Sequence, residues 1–139
     1  MGEKKIDQTV WLAPLNEDFD VRFREDHIHV TLGPHYKPDA QQRARFWDDI
    51  KTISERHGSR RILVEGFAPS RDRPTADVID AGKHTGSVPN VWIAFCLQKH
   101  VPDEQTEVFQ AIAAMQGARV KFFDNNEHAL MWLRNNTSA

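Results

Sequence analysis

The chain has 139 residues, of which 40% are hydrophobic and 27% are charged, a balance typical of a folded globular protein and unlike that of a disordered one. Its length suits one domain, which we expect to span 1–139. Lysine and arginine total 18 against 20 acidic residues, so the net charge of -2 provides no overall attraction for polyanions, and we expect no nucleic-acid partner.

Apolar runs and cysteine content bear on the cellular compartment. No stretch approaches the roughly 20 apolar residues of a membrane span, and the charged N-terminus is unlike a signal peptide. The single cysteine, Cys96, has no intramolecular disulfide partner and lies in an apolar run, where we expect it to pack as a buried small hydrophobe. The sequence therefore predicts a cytoplasmic protein with no membrane span.

The first elements in chain order are an arm and a hairpin. Residues 1–18 show no clear period and are predicted to form an N-terminal arm. Over residues 19–32, apolar and polar positions alternate on either side of the turn Glu25-Asp26, which is the pattern of two antiparallel strands. The arm carries Trp11 beside other apolar residues, and such a segment must pack on its own domain or on another chain. A homodimer is therefore expected.

A helix, a strand and a second helix follow. Asp39 is the predicted N-cap of a helix whose apolar residues return every three or four positions, and Gly58 is its predicted end. The branched apolar run 61–66 predicts a buried strand. After a loop with two prolines, Thr75 is the predicted cap of a short helix that residues 82–89 close.

The last third of the chain alternates strand and helix. Residues 90–97 are apolar on both faces of a strand, and they are the predicted centre of the sheet. Asp103 begins a helix whose apolar stripe includes Met115, and a strand over 120–123 precedes a final helix capped by Asp124. The predicted order is β-β-α-β-α-β-α-β-α, an α/β fold with a mixed, mostly parallel sheet of about five strands.

The C-terminal stretch has a helix ending in glycine, a short strand carrying phenylalanine, and a helix with the element Ala-x-x-Trp-Leu. The residues concerned are Phe109 to Gly117, Val120, Phe123, Ala129, Trp132 and Leu133. In these positions, and in its element order over 19–136, the chain resembles the SpoIIAA-like proteins, relatives of the STAS domains. The resemblance implies a noncatalytic binding or regulatory module for a partner protein, a nucleotide or another small ligand, on a fold similar to that of Sec14-type lipid carriers.

The resemblance also points to a position where related proteins carry a switch. In anti-sigma antagonists, a serine within an Asp-Ser-Ser-Gly or similar motif opens the helix after the third strand. The matching region here, 67–75, has the hydroxyls of Ser70 and Thr75 without the flanking aspartate and glycine. No phosphorylation switch is therefore carried over to this chain.

Seven residues form the candidate ligand site that the sequence indicates. Two guanidinium groups beside a helix N-terminus suit a phosphate or carboxylate, although a solvated, self-neutralising loop is the alternative because Asp72 lies between them. Residues after the second strand are placed to line a pocket or to lie on a loop surface. The candidate residues are His35, Tyr36, Ser70, Arg71, Arg73, Thr75 and His84.

Metal and catalytic signatures are weak or missing in this sequence. His27 and His29 project from one face of a strand, which suits a shared metal ion, but no third ligand is identifiable and we expect exposed polar positions instead. The sequence contains no Gly-x-Ser-x-Gly elbow, phosphate-binding loop, Gly-x-Gly-x-x-Gly or His-Glu-x-x-His motif. We therefore predict no metal, no cofactor and no catalytic residue.

Three functional hypotheses follow, and the first is the leading one. It is a noncatalytic binding or regulatory module of the SpoIIAA-like type. The second is a carrier that holds an apolar or amphipathic small molecule between the sheet and the helix over 75–83, which a continuous apolar cavity would favour. The third is a small enzyme that uses His35, Arg71, Arg73 and His84, and it requires those side chains to converge on one cleft.

Overall fold

The computed structural model describes residues 19–34, 36, 39–68, 73–98 and 100–137, so the predicted N-terminal arm lies outside the described residues. Within them, the predicted order of strands and helices is confirmed. None of these helices combines the length and the apolarity needed to cross a bilayer. The elements are β1 (Phe19–Arg24), β2 (His27–Leu32), α1 (Ala40–His57), β3 (Arg61–Phe67), α2 (Thr75–His84), β4 (Trp92–Gln98), α3 (Glu104–Met115), β5 (Arg119–Phe122) and α4 (Asn126–Asn136).

The five strands form one sheet in the order β1-β2-β3-β4-β5. β1 and β2 are antiparallel, and each later pair of neighbours is parallel. Crossovers between parallel strands are right-handed, so three crossovers that advance in one direction place α1, α2 and α3 on the same face. We call this the three-helix face and the opposite one the α4 face. The predicted α/β class with a mixed, mostly parallel sheet is confirmed.

The three-helix face holds the main apolar core. Ile28, Ile62 and Ile93 stand side by side on neighbouring strands and are at most 1% exposed. Ile50 of α1 is fully buried against this cluster, and Trp47 one turn earlier is also buried. Burial of each such side chain contributes on the order of 1.5–3 kcal/mol to the free energy of folding. The three-helix face therefore supplies most of the hydrophobic stabilisation of the fold.

The α4 face is apolar only where α4 covers it. Leu63 and Ala94 of the central strands pack there against Ala129 and Leu133 of α4, and all four are buried. Partly buried aromatic side chains border this second cluster, including Trp132 of α4. The β1–β2 half of the same face carries charged and polar side chains instead.

Helix ends follow local capping chemistry, with two departures from prediction. Asp39 accepts a hydrogen bond from the Gln42 amide at 2.8 Å, and Gly58 has φ +66°, as predicted for the two ends of α1. The caps predicted for α2 and α4 are wrong by one residue. Pro74 precedes α2 without a side-chain cap, because its fixed φ already favours a helix start. Asn125, rather than Asp124, caps α4.

Three packing predictions are corrected by the structure. The centre of the sheet is β3, and β4 lies one strand away, because Arg61 and Glu65 of β3 mask its apolar character in the sequence. Met115, predicted to be in the core, is 78% exposed, since it lies at the margin of the stripe in the last turn of α3. Cys96 is only partly buried, because it packs at the margin of the α4 cluster and not within it.

Candidate functional site

A cavity of roughly 300 Å³ opens between the sheet and the helices of the three-helix face. It lies toward the carboxyl ends of the parallel strands, next to the loops that follow β2, β3 and β4. Every covering helix contributes to its wall, including α2 through Ala81. The apolar wall includes Leu32, Val64 and Phe95 from the sheet, Phe46 and Trp47 from α1, and Phe109 from α3.

Small residues at two positions leave this space unfilled. Ala68 follows β3 directly and Ala81 lies in the middle of α2, and both face the cavity with a single methyl group. Gly82, the next residue of α2, lies so close to α3 that an added Cβ would be 2.7 Å from the Ile112 Cβ. Helix α2 is therefore pressed onto α3 at Gly82, while its neighbour Ala81 faces empty volume.

Polar side chains of the described residues line the cavity from several segments, including Thr106 of α3. Tyr36 comes from the loop after β2, Arg43 from α1, Arg73 from the residues before α2, and His100 and Asp103 from the loop after β4. Tyr36 meets Phe19 edge-on at 5.9 Å between ring centroids, and His100 stacks on the ring of Phe122 at 4.5 Å. These aromatic contacts orient both polar rings. The site thus combines an apolar wall with a few polar groups, as small-molecule sites do.

Arg43 is the more deeply buried of the two cationic side chains in the wall. Its side chain is 4% exposed, and its guanidinium bridges α1 to α2. Nε donates to Asp80 Oδ2 at 2.7 Å, and Nη2 donates to Asp77 Oδ1 at 3.3 Å. Two carboxylates therefore neutralise this charge, and Arg43 acts mainly as a clamp between two walls of the cavity.

Arg73 differs from Arg43 in its hydrogen-bond partners. Its Nε is buried and has no hydrogen-bond partner among the described residues. Burial lowers the pKa of Arg73, and the negative charge of Asp103 opposes that shift. Asp103 is itself engaged as the N-cap of α3, where Oδ1 accepts from the Thr106 amide at 3.0 Å and from the Thr106 hydroxyl at 3.1 Å. The cavity thus contains a cationic group with a donor that no described residue satisfies.

The structure brings together only part of the predicted site. Tyr36 and Arg73 both line the cavity. Thr75 and His84 do not: the Thr75 hydroxyl lies 3.4 Å from Gln105 Nε2, and His84 Nε2 lies 3.5 Å from Asp80 Oδ2. A ligand role for any of these four residues stays a prediction.

The remaining predicted site residues lie outside the described residues, namely His35, Ser70 and Arg71. The enzyme hypothesis needs two of them to converge with Arg73 and His84, so it stays a prediction. Sequence reasoning missed Arg43, His100 and Asp103 as wall residues. Arg43 had one usable signal, since it occupies a helical position on the same side as the buried Phe46 and Trp47.

A second polar constellation lies on the β1–β2 half of the α4 face. Asp26 accepts hydrogen bonds from Arg61 Nη1 at 2.9 Å and from Arg134 Nε at 2.8 Å, and its carboxylate lies 3.0 Å from His27 Nδ1. His29 Nε2 contacts the Glu65 carboxylate. These contacts join the hairpin to β3 and to α4.

Both histidines of this constellation are buried, so the prediction of exposed polar positions is wrong. His27 is 5% exposed and His29 is 8% exposed, because each ring lies against a neighbouring carboxylate, that of Asp26 for His27 and that of Glu65 for His29. Among the described residues, no group of three or more histidine, cysteine or acidic side chains is placed to hold a metal.

Burial and hydrogen bonds shift the pKa values of several groups in and beside this constellation. The hydrogen bond from Arg134 holds the pKa of Asp26 well below its ordinary range. The hydrogen bond between Glu65 and His29 lowers the pKa of Glu65. Burial lowers the pKa of His27. On the far side of Glu65, burial raises the pKa of the Cys96 thiol, and neighbouring carboxylates act in the same direction. Cys96 is therefore a poor nucleophile.

Comparison with known proteins adds no family to this geometry. No protein-family model matches the chain, and no curated protein matches its sequence. The SpoIIAA-like resemblance therefore depends on the C-terminal residues and on the order of elements. A fold alone does not determine a function, and the cavity is the feature of this structure that bears on one.

Proposed function

We propose that this protein is a noncatalytic binding module that takes up an apolar or amphipathic small molecule in the cavity of the three-helix face. The observation that carries the proposal is a roughly 300 Å³ space with an apolar wall, located at the carboxyl ends of parallel strands. This proposal corresponds to the second hypothesis from the sequence, a carrier of an apolar or amphipathic small molecule. Its volume lies at the lower end of the range for small-molecule sites, which favours a compact ligand.

The five-stranded mixed sheet and four helices support, within this proposal, a SpoIIAA-like module. In such a module the ligand would be bound and released without chemical change. Two polar groups of the cavity wall have structural partners: Arg43 is paired with two aspartates, and Asp103 caps a helix. Binding by burial of apolar surface, by contrast, needs only the wall that is present.

Filling the cavity tests the proposal. Binding of the neutral fluorescent probe N-phenyl-1-naphthylamine is measured for the full chain and for Ala81→Leu, which adds three carbon atoms to the wall. We expect the wild type to bind and Ala81→Leu to lose about 10-fold or more in affinity through steric overlap. Ala68→Leu, on a different element, should act in the same direction.

Ala44→Leu is the matched control, since Ala44 is exposed on α1 and lies away from the wall. It should bind the probe like the wild type, and thermal unfolding should show that all variants fold. Absence of probe binding by the wild type would overturn the proposal. So would equal binding by Ala81→Leu and Ala44→Leu.

A further inference from the structure

We propose that the ligand is a monocarboxylic acid with a short apolar body, and that Arg73 binds its carboxylate. This inference rests on the proposed function and adds the chemical class of the ligand. Its starting point is that Arg73 lines the cavity while its buried Nε has no partner among the described residues. An unused charged donor in an apolar wall is costly for folding, so its presence points to a ligand that satisfies it.

The geometry of arginine favours a carboxylate. A guanidinium presents adjacent N–H groups in a plane, and a carboxylate accepts two of them at once. Binding of an anion would also offset the burial that now disfavours the charged form of Arg73. A neutral alcohol at the same place would accept one hydrogen bond and leave the charge uncompensated.

Arg73 is assigned this role rather than Arg43 because their partners differ. The Arg43 guanidinium already has Asp77 and Asp80 as ion-pair partners, and a ligand would have to compete with both. No comparable pair holds Arg73 among the described residues. Its charged neighbours act at longer range, and Asp103 is the largest attractive one.

The same neighbours limit the charge of the ligand. Asp103 lies in the cavity wall close enough to act on Arg73, and Asp77 acts on Arg73 as well. A second negative charge on the ligand would be repelled by these carboxylates, while Arg43 is already neutralised. A singly charged carboxylate therefore fits better than a doubly charged phosphate monoester.

The remaining wall indicates an apolar body. Phe46, Trp47, Phe95 and Phe109 provide large aromatic surfaces on the sheet side and the helix side of the space. With roughly 300 Å³ to fill, a chain of about eight carbons or a single ring fits better than a long-chain lipid. We therefore choose octanoate as the probe.

Displacement of N-phenyl-1-naphthylamine by octanoate, octan-1-ol and octyl phosphate at pH 8 tests the inference. At this pH the carboxyl group is ionised. We expect the full chain to bind octanoate about 10-fold or more tightly than octan-1-ol, and more tightly than octyl phosphate. Arg73→Gln should weaken octanoate about 10- to 100-fold and leave octan-1-ol unchanged, and Arg73→Lys should restore part of the loss.

Arg56→Gln is the matched control, because Arg56 is an exposed arginine in the last turn of α1 and the substitution changes the net charge equally. It should bind octanoate like the wild type. If octan-1-ol binds as tightly as octanoate, or if Arg73→Gln equals Arg56→Gln, the carboxylate assignment is wrong although the cavity still binds apolar molecules. Tighter binding of octyl phosphate also overturns it. If neither the fluorescent probe nor any eight-carbon compound binds, the proposed function fails as well.

Discussion

The two faces of the sheet are built from alternate residues of the same strands, yet they are stabilised by different interactions. On β2, Ile28 and Val30 point into a dry core, while His27 and His29 point into a network of charges. A shift of one residue in strand pairing would exchange the two sets. Both faces therefore specify the same register, one through apolar burial and the other through ion pairs.

The two faces also differ in how many helices cover them, and this explains how the three-helix face can contain a cavity and remain stable. Three helices cover the three-helix face, and its cluster of buried side chains extends from β1 to β5. The α4 face has one helix, whose end is joined to the hairpin by Arg134 and Asp26. We expect the three-helix face to tolerate an unfilled volume, and the α4 face to depend on a few charged groups. Three measurements test this difference between the faces.

The largest effect is expected from truncation on the three-helix face. Ile62→Ala should lower the free energy of unfolding by about 2–5 kcal/mol, because Ile62 is fully buried between two strands and the removed atoms leave a cavity. Thr31→Ala, half-buried on the α4 face of the neighbouring strand, should change it by about 0.5 kcal/mol. Urea unfolding of both variants makes the measurement. Equal losses would remove the distinction between the faces.

A smaller loss is expected from the charged network. Asp26→Ala leaves Arg61 without its ionic partner, and the Arg61 side chain is only 9% exposed. We expect a loss of about 1.5–3 kcal/mol in the free energy of unfolding, near the range for charged hydrogen bonds, because Asp26 itself is partly exposed and screened. Asp48→Ala, an exposed aspartate of α1, is the control. If the two variants unfold alike, the network does not hold α4 to the hairpin.

The mildest perturbation is acidification. His27 has a folded-state pKa below its ordinary value of 6.5, so the unfolded chain takes up a proton first and stability falls as the pH drops below about 6.5. Asp26 and Glu65 are also depressed from ordinary values of 3.8 and 4.5, and their contributions are lost at lower pH in the same direction. Melting temperature against pH should therefore decline from about pH 6.5 downward. His27→Gln should remove the upper part of that decline, and a profile identical to the wild type would contradict the assignment.

Local patterns in the sequence predict the elements but not their three-dimensional partners. Strict alternation over residues 19–32 was enough to predict both hairpin strands, and Asp39 with Gly58 marked the ends of α1, because these signals act within a few residues. The start of α4 was missed by one position, since Asp124 and Asn125 are both good caps and only the backbone distinguishes them. Sheet order has no local signal, so β3 could not be recognised as the centre.

The candidate site was predicted only in fragments for the same reason. Tyr36 and Arg73 were selected for local features, but they share a cavity with His100 and Asp103, which are far from both in the sequence. The burial of His27 was missed because Asp26 beside it is bonded to two arginines from distant parts of the chain, Arg61 and Arg134. Arg134 reaches Asp26 across 108 positions of the chain. Long-range pairing of this kind leaves no trace in periodicity.

The order of the strands also bears on behaviour at high concentration. Within the described residues, β1 and β5 each pair with one neighbour and are the edge strands of the sheet. The unpaired backbone groups of such borders are sites where a strand of another chain can pair. β5 is only four residues long and carries Arg119 and Lys121, both exposed, and β1 carries Arg22 and Arg24. Like charges brought together at such borders repel. The exposed charges of Arg24, Arg119 and Lys121 therefore disfavour aggregation by strand addition at these borders.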